Sequence, residues 1–272
     1  MEIKVLGPLE ARESDVSIVP TAGKPRQVLA MLTLSAGQVV PASALMEELW
    51  GPELPRSAPT TLQTYILQLR RHLDRALPAG RPGRAKDVLR TRYSGYVLDI
   101  APSEVDFHRY EDYAAAGRQA LDAQDDEAAS RLLGTALALW RGPVLVDVQA
   151  GARLRIEVMR LEESRLGVLE RRIDADLRLG RHHALLSELA VLSAQHPWHE
   201  NLHAQYMLAL YRSGRQWRAL DIYRRLRDTL IEEFGLEPSG RLQQLQRAIL
   251  TSDPVLEEPG RGYSGRDDRL VV

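Results

Sequence analysis

The spacing of hydrophobic residues in the first hundred positions predicts short strands, then helices, then a hairpin. At both ends of this region, brief apolar runs bounded by Gly, Pro or Ser are typical of strands. Between them, apolar residues recur every three or four positions, which is typical of helices. The predicted strands are 3–6, 9–12, 16–19, 88–92 and 96–100, and the predicted helices begin near Pro25, Ser43 and Ser57.

The third of these helices is long and amphipathic. Leu62, Ile66, Leu69 and Leu73 form an apolar stripe at helical spacing, and Ser57 is a suitable N-cap. Side chains outside the stripe carry hydroxyl, amide and guanidinium groups, which hydrogen-bond to phosphates and base edges in a DNA major groove. The alternative is an ordinary solvated helix face. The candidate DNA-binding residues here are Thr60, Thr61, Gln63, Thr64, Gln68, Arg70, Arg71 and Arg75.

The hairpin that follows is also basic. Arg90 and Arg92 lie two positions apart, on one side of its first strand, and lead into a turn at Tyr93-Ser94-Gly95. An arginine at a hairpin tip beside a recognition helix is placed to enter the narrow minor groove. Two arginines alone would indicate only a solvated hairpin. DNA binding is favoured by the order of the elements, which is a short helix, a loop, a long basic helix and a basic hairpin.

The second half of the chain is nearly continuous helix from Val105 onward. Two of its breaks, Gly180-Arg181 and Gly214-Arg215, lie 34 residues apart, which is the tetratricopeptide period. About two such units are in register, with Ala219 and Tyr223 at the packing positions of one second helix. We therefore predict three segments, 1–101 (DNA-binding), 102–251 (helical) and 252–272 (a disordered tail).

Charge is distributed unevenly along the chain. The net charge is −1, but residues 58–95 contain eight basic and two acidic residues, a local charge of +6 that leaves −7 for the rest. A local basic block provides the phosphate contacts that DNA binding requires. The chain has no run of 18 apolar residues, and its start does not resemble a signal peptide, so we expect a cytoplasmic protein associated with the nucleoid and no membrane partner.

Enzyme chemistry finds little support in the sequence. The chain has no cysteine and no glycine-rich nucleotide loop or nucleophile elbow. An H-E-x-x-H pattern occurs at His199–His203, but Pro197 places His199 in a first helical turn, and no third metal ligand stands out downstream. We therefore expect no enzyme activity, no cofactor and no metal.

Several segments together resemble the Streptomyces antibiotic regulatory proteins, the SARP family. A first group of segments, before residue 100, is similar to the winged helix of the response-regulator type in that family. A second group, after residue 100, is similar to the family's bacterial transcriptional activation domain. The first group is 6–9 (LGPL), 24–27 (KPRQ), 45–51 (LMEELWG), 69–73 (LRRHL) and 92–96 (RYSGY). The second is 106–110 (DFHRY), 139–142 (LWRG), 196–197 (HP), 210–215 (LYRSGR), 219–220 (AL) and 234–239 (FGLEPS).

The resemblance implies an α+β winged helix-turn-helix followed by an all-α, tetratricopeptide-like domain. It implies activation of a secondary-metabolite gene cluster through double-stranded promoter DNA with direct repeats, bound by a dimer or a cooperating pair, and through RNA polymerase holoenzyme. It places Arg92 in the wing, where Tyr93 departs from the glycine-richer wing of typical response regulators. The polymerase-contacting loop would include Trp50, Glu53, Leu54 and Arg56, the alternative being a plain connector.

Two other functions fit the same domains. One is a protein-interaction scaffold, which would leave no footprint on a promoter. The other is a ligand-responsive repressor, which would bind DNA without raising transcript yield from purified polymerase.

Overall fold

The structure is a computed structural model that describes residues 1–13, 15–77 and 84–257. The chain divides into two compact units. The first contains Met1–Ala114 and Thr135–Leu166, and the second contains Ala115–Gly134 and the chain from Gly167 onward. The division at residues 101 and 102 stays a prediction, and the unit that contains the winged helix also includes later helical segments.

The first unit has two antiparallel three-stranded sheets, in the orders β1-β2-β3 and β4-β6-β5. Three further helices, α5, α6 and α7, are divided between the two units. The elements up to the hairpin are β1 (Glu2–Lys4), β2 (Glu10–Glu13), β3 (Val16–Ser17), α1 (Gly23–Leu34), β4 (Val40–Pro41), α2 (Ala42–Trp50), α3 (Ala58–Ala76), α4 (Arg84–Val88), β5 (Leu89–Arg92) and β6 (Gly95–Leu98). The shared helices are α5 (Asp106–Asp122), α6 (Asp126–Ala138) and α7 (Ala152–Arg178).

The apolar stripe of α3 is confirmed. Leu62, Ile66, Leu69 and Leu73 are each no more than 3% exposed, so this face anchors α3 in the core of the first unit. Ser57 occupies the N-cap position, but its side chain makes no capping hydrogen bond, so the prediction of a capping serine is wrong in that detail.

The turn after α3 also differs from expectation. Residues 78–83 of the predicted turn lie outside the described residues, and Val88, predicted to open a strand, instead ends the short helix α4. Ala85 is buried, and its backbone N–H donates to Asp74 Oδ1 at 3.3 Å, so contacts with α3 fix this turn as a helix. Tertiary contacts of this kind override the strand preference of a single valine.

A buried carboxylate on α2 caps α7. Glu48 is 4% exposed and accepts hydrogen bonds from the backbone N–H groups of Gly151 (2.5 Å), Arg153 (2.8 Å) and Leu154 (3.3 Å). Gln27 Nε2 on α1 also donates to Glu48 Oε1, at 3.0 Å. One side chain therefore satisfies orphan donors at the start of α7 and joins three helices of the first unit.

The second unit repeats one helix-turn-helix geometry. It contains α8 (His182–Gln195), α9 (Glu200–Arg212), α10 (Gln216–Phe234) and α11 (Gly240–Leu250), together with parts of α5, α6 and α7. Gly180 and Gly214 both adopt left-handed φ values, 74° and 72°, and the residue after each donates to a carbonyl five positions back at 2.9 Å. The predicted 34-residue repeat is thus confirmed.

A third helix pair has the same turn without a glycine. Between α5 and α6, Gln124 has φ 60°, and Asp125 N–H donates to Ala120 O at 2.9 Å.

The first part of the predicted disordered tail is ordered. Residues 252–257 include a 3-10 turn at Pro254–Leu256, and Leu256 O accepts from Arg212 Nε at 2.7 Å. The rest of that predicted tail, residues 258–272, lies outside the described residues.

We expect Glu48→Ala to lower the free energy of unfolding by about 2–4 kcal/mol, because it leaves several buried donors without an acceptor. The neighbouring Glu47→Ala is the matched control. Glu47 pairs with Arg153 at 2.9 Å on the surface, and loss of such a pair changes stability by less than about 1 kcal/mol. Urea unfolding followed by tryptophan fluorescence measures both, and equal midpoints for the two variants would contradict the capping role.

Candidate DNA-binding interface

The outer face of α3 is polar and accessible. Because the apolar stripe anchors the helix, the side chains opposite it are held on a rigid element. Thr61 is half-buried at the edge of this face. The exposed members of the predicted set are Thr60, Gln63, Thr64, Gln68, Arg71 and Arg75.

Sequence reasoning missed one residue of this face. Leu67 is 48% exposed and lies among Gln63, Thr64, Gln68 and Arg71. Its position outside the apolar stripe is the signal in the sequence that indicates its exposure. Apolar side chains on recognition helices contact thymine methyl groups, so Leu67 belongs with the candidate interface.

Arg70 joins α3 to the hairpin. Its Nε and Nη2 donate to Leu89 O at 3.0 and 2.8 Å, and Nη2 also donates to Thr91 Oγ1 at 2.9 Å. A planar guanidinium with several donors suits this fork-like contact. Arg70 therefore holds β5 against α3, and its contact with DNA stays a prediction.

The two arginines of β5 have different surroundings. Arg90 Nη2 lies 2.7 Å from Asp99 Oδ2, and Arg90 Nε donates to Asp87 O at 2.7 Å. Arg92 is exposed and has no ion-pair partner among the described residues. In the hairpin, Arg90 is therefore paired with Asp99, whereas Arg92 is available to bind an external anion.

A basic pocket lies between α3, α4 and β5. Its volume is about 500 Å³, and its lining contains four cationic side chains and one carboxylate. Clustered cations of this kind raise the local positive potential and attract phosphate groups. The lining residues are Arg70, Lys86, Asp87, Arg90, Thr91 and Arg92.

The predicted polymerase loop begins at an anchored tryptophan. The Trp50 ring stacks on Tyr65, with 6.3 Å between centroids, and Lys24 Nζ lies 4.6 Å from the Trp50 ring centroid. Residues 52–57 that follow are exposed, including the predicted contact residues Glu53, Leu54 and Arg56. Trp50 thus fixes one end of an accessible loop.

Comparison with known proteins agrees with this architecture. Residues 17–98 match the family described as "Transcriptional regulatory protein, C terminal", and residues 105–250 match the "Bacterial transcriptional activator domain". Over 260 residues, the chain is 55% identical to the regulatory protein DnrI of Streptomyces peucetius, covering 96% of each protein. The chain belongs to the SARP family of transcription activators. It is therefore a DNA-binding transcription activator and not an enzyme.

Other relatives of this SARP-family protein support the same fold. It is 38% identical to the transcriptional regulator RedD of Streptomyces coelicolor, covering 95% of this chain and 73% of RedD. A solved structure of Mycobacterium tuberculosis EmbR in complex with a low-affinity phosphopeptide aligns with a TM-score of 0.85 at 32% identity. That alignment covers 94% of this chain and 68% of the EmbR chain, and the predicted fold class is confirmed.

The H-E-x-x-H residues take part in packing within the second unit. His199 Nε2 lies 2.9 Å from Glu170 Oε1, and Glu200 accepts from Ser239 N at 2.9 Å. Burial opposes ionisation of Glu170, but hydrogen bonds from His199 and Asn201 prevail and lower the pKa of its carboxyl. These side chains connect α7, α9 and the start of α11.

Within the described residues, no helix combines the length and the hydrophobicity needed to cross a bilayer.

Two adjacent arginines of this SARP-family protein should respond differently to substitution. Arg71 is exposed, so Arg71→Ala should leave stability unchanged. Because this variant removes one predicted phosphate contact, it should bind all DNA sequences more weakly, and the slope of log K against log salt should fall by about one. Arg70→Ala should lower the free energy of unfolding by about 1–3 kcal/mol, because the buried Leu89 carbonyl loses its donors. Thermal unfolding and DNA titration test both, and equal stability of the two variants would contradict the bracing role of Arg70.

Proposed function

We propose that this protein activates an antibiotic or other secondary-metabolite gene cluster by binding direct repeats near a promoter and recruiting RNA polymerase holoenzyme. Its two family domains and its similarity to the Streptomyces regulators DnrI and RedD support the proposal. The observation that carries it is the exposed Thr/Gln/Arg face of α3 beside the accessible Arg92.

In this proposal α3 lies in the major groove and the hairpin reaches the minor groove. Hydroxyl and amide groups such as those of Thr60 and Gln68 select bases, since they can donate to and accept from base edges. Arg71, Arg75 and Arg92 position the protein on phosphates, and Arg92 at the hairpin favours a narrow minor groove.

Two copies occupy tandem half-sites as a dimer or as a cooperating pair on the nucleoid. The polymerase contact is made by the exposed loop after α2, through Glu53, Leu54 and Arg56. This assignment is supported by the exposure of these side chains and by the anchoring of Trp50, which places the loop next to α3.

The wing assignment predicts a specific salt effect. Arg92→Ala should weaken binding to a footprinted promoter fragment and lower the slope of log K against log salt by about one, because one phosphate contact is lost. Arg90→Ala is the matched control, and its slope should change less because Asp99 already holds this guanidinium. An Arg92→Ala variant with wild-type affinity and slope would refute the wing assignment.

The polymerase contact is tested by separating DNA binding from activation. A Glu53→Ala, Leu54→Asp double variant should give a normal footprint but reduced run-off transcript with purified polymerase, because the exposed loop is altered without touching the polar face of α3. Arg71→Ala should reduce both footprint and transcript. A double variant with full transcript yield would show that the loop is only a connector, and footprinting without stimulation by the unsubstituted protein would indicate a repressor.

A further inference from the structure

The tip of the hairpin holds an aromatic residue in an unfavourable backbone conformation. Tyr93 lies between β5 and β6 with φ 50°, and its side chain is 95% exposed. Left-handed φ values are uncommon for residues other than glycine, asparagine and aspartate, and a bulky residue there is strained. Such strain persists where the surrounding structure imposes it, and it concentrates at functional positions.

The neighbouring residues explain why the strain falls on position 93. A Cβ on Gly95 would lie 2.3 Å from Val40 O, so the close approach of β4 to β6 requires glycine at 95. The backbone N–H of Ala42 donates to Ser94 O at 2.9 Å, which fixes the position of Ser94. The ladder pairs Arg92 with Gly95, so the chain must reverse across Tyr93 and Ser94.

The fold itself gains nothing visible from the tyrosine side chain. No hydrogen bond or ring contact to Tyr93 occurs among the described residues, and the ring is almost fully exposed. Asparagine or glycine would meet the same backbone requirement at lower conformational cost. The exposed ring is available for a contact outside the chain.

The charges around the tip indicate what that contact is. Arg92 immediately precedes Tyr93, and Lys86, Arg90 and Arg70 line the adjacent pocket. A cationic surface with one flat, neutral ring fits nucleic acid better than an ordinary protein surface. The minor groove is about 6 Å wide, and amphipathic or apolar side chains enter it beside arginines.

We propose that Tyr93 is the tip residue of the wing and packs its ring against the deoxyribose walls of the DNA minor groove, beside Arg92. This inference rests on the proposed placement of the hairpin on DNA. It assigns to Tyr93 an uncharged contact, which adds affinity and position without neutralising a phosphate.

The test compares Tyr93→Asn with Tyr93→Phe in the full chain. The probe is a duplex selected from a random library by the unsubstituted protein. Tyr93→Asn should bind about tenfold more weakly, while its salt slope stays at the wild-type value, because no charge is removed. Its thermal midpoint should equal or exceed that of the wild type, since asparagine tolerates left-handed φ. Tyr93→Phe should stay within about twofold of wild-type affinity, because the ring is retained.

Hydroxyl-radical footprinting supplies the position of the contact, because these radicals attack deoxyribose from the minor groove. Tyr93→Asn should lose protection of the sugars at one minor-groove segment and keep the rest of the footprint. Unchanged affinity and protection, or a lowered thermal midpoint, would overturn the inference while leaving DNA binding by α3 intact. Absence of any footprint with the unsubstituted protein would instead overturn the proposed function and the inference with it.

Discussion

The buried carboxylate of Glu48 is the contact on which the arrangement of the first unit depends. A carboxylate removed from water is tolerated only where hydrogen bonds satisfy it, and here backbone N–H groups at the start of α7 do so. The favourable end of the α7 dipole adds to this attraction. Since α2 leads directly into the loop and α3, a residue that fixes α2 against α7 also fixes the position from which α3 begins.

A second buried carboxylate fixes the segment that connects β1 and β2. Asp106 at the start of α5 accepts from the backbone N–H groups of Val5 (2.8 Å) and Leu6 (3.1 Å), and burial raises the pKa of its carboxyl. Arg141 N–H donates to Leu6 O at 2.8 Å, and Asp147 Oδ1 accepts from Leu9 N at 2.7 Å. Segments at the start of the activator-domain match thus hold the chain between β1 and β2, so the first compact unit extends beyond the winged-helix match.

Local periodicity made much of this architecture predictable. The α3 stripe and the 34-residue spacing of Gly180 and Gly214 reflect repeating steric demands that a sequence displays directly. The pair α5 and α6 was predicted as helices but not as a repeat unit, because Gln124 replaces the glycine at its left-handed turn. The roles of Arg70 and Arg90 were equally inaccessible, since their partners, Leu89 O and Asp99, are set by the pairing of the hairpin with itself and with α3.

These internal contacts reduce the number of basic side chains in residues 58–95 that are free to contact DNA. Of these side chains, Arg70 and Arg90 are engaged within the fold, so the described cations that remain accessible to phosphates are Arg71, Arg75, Lys86 and Arg92. A small number of phosphate contacts gives modest affinity at physiological salt, because each contact contributes through release of a counterion. Binding to one half-site would then be weak, whereas two linked copies on adjacent repeats gain through effective concentration. Within the proposed function, the few free cations described for one copy favour paired sites over a single one.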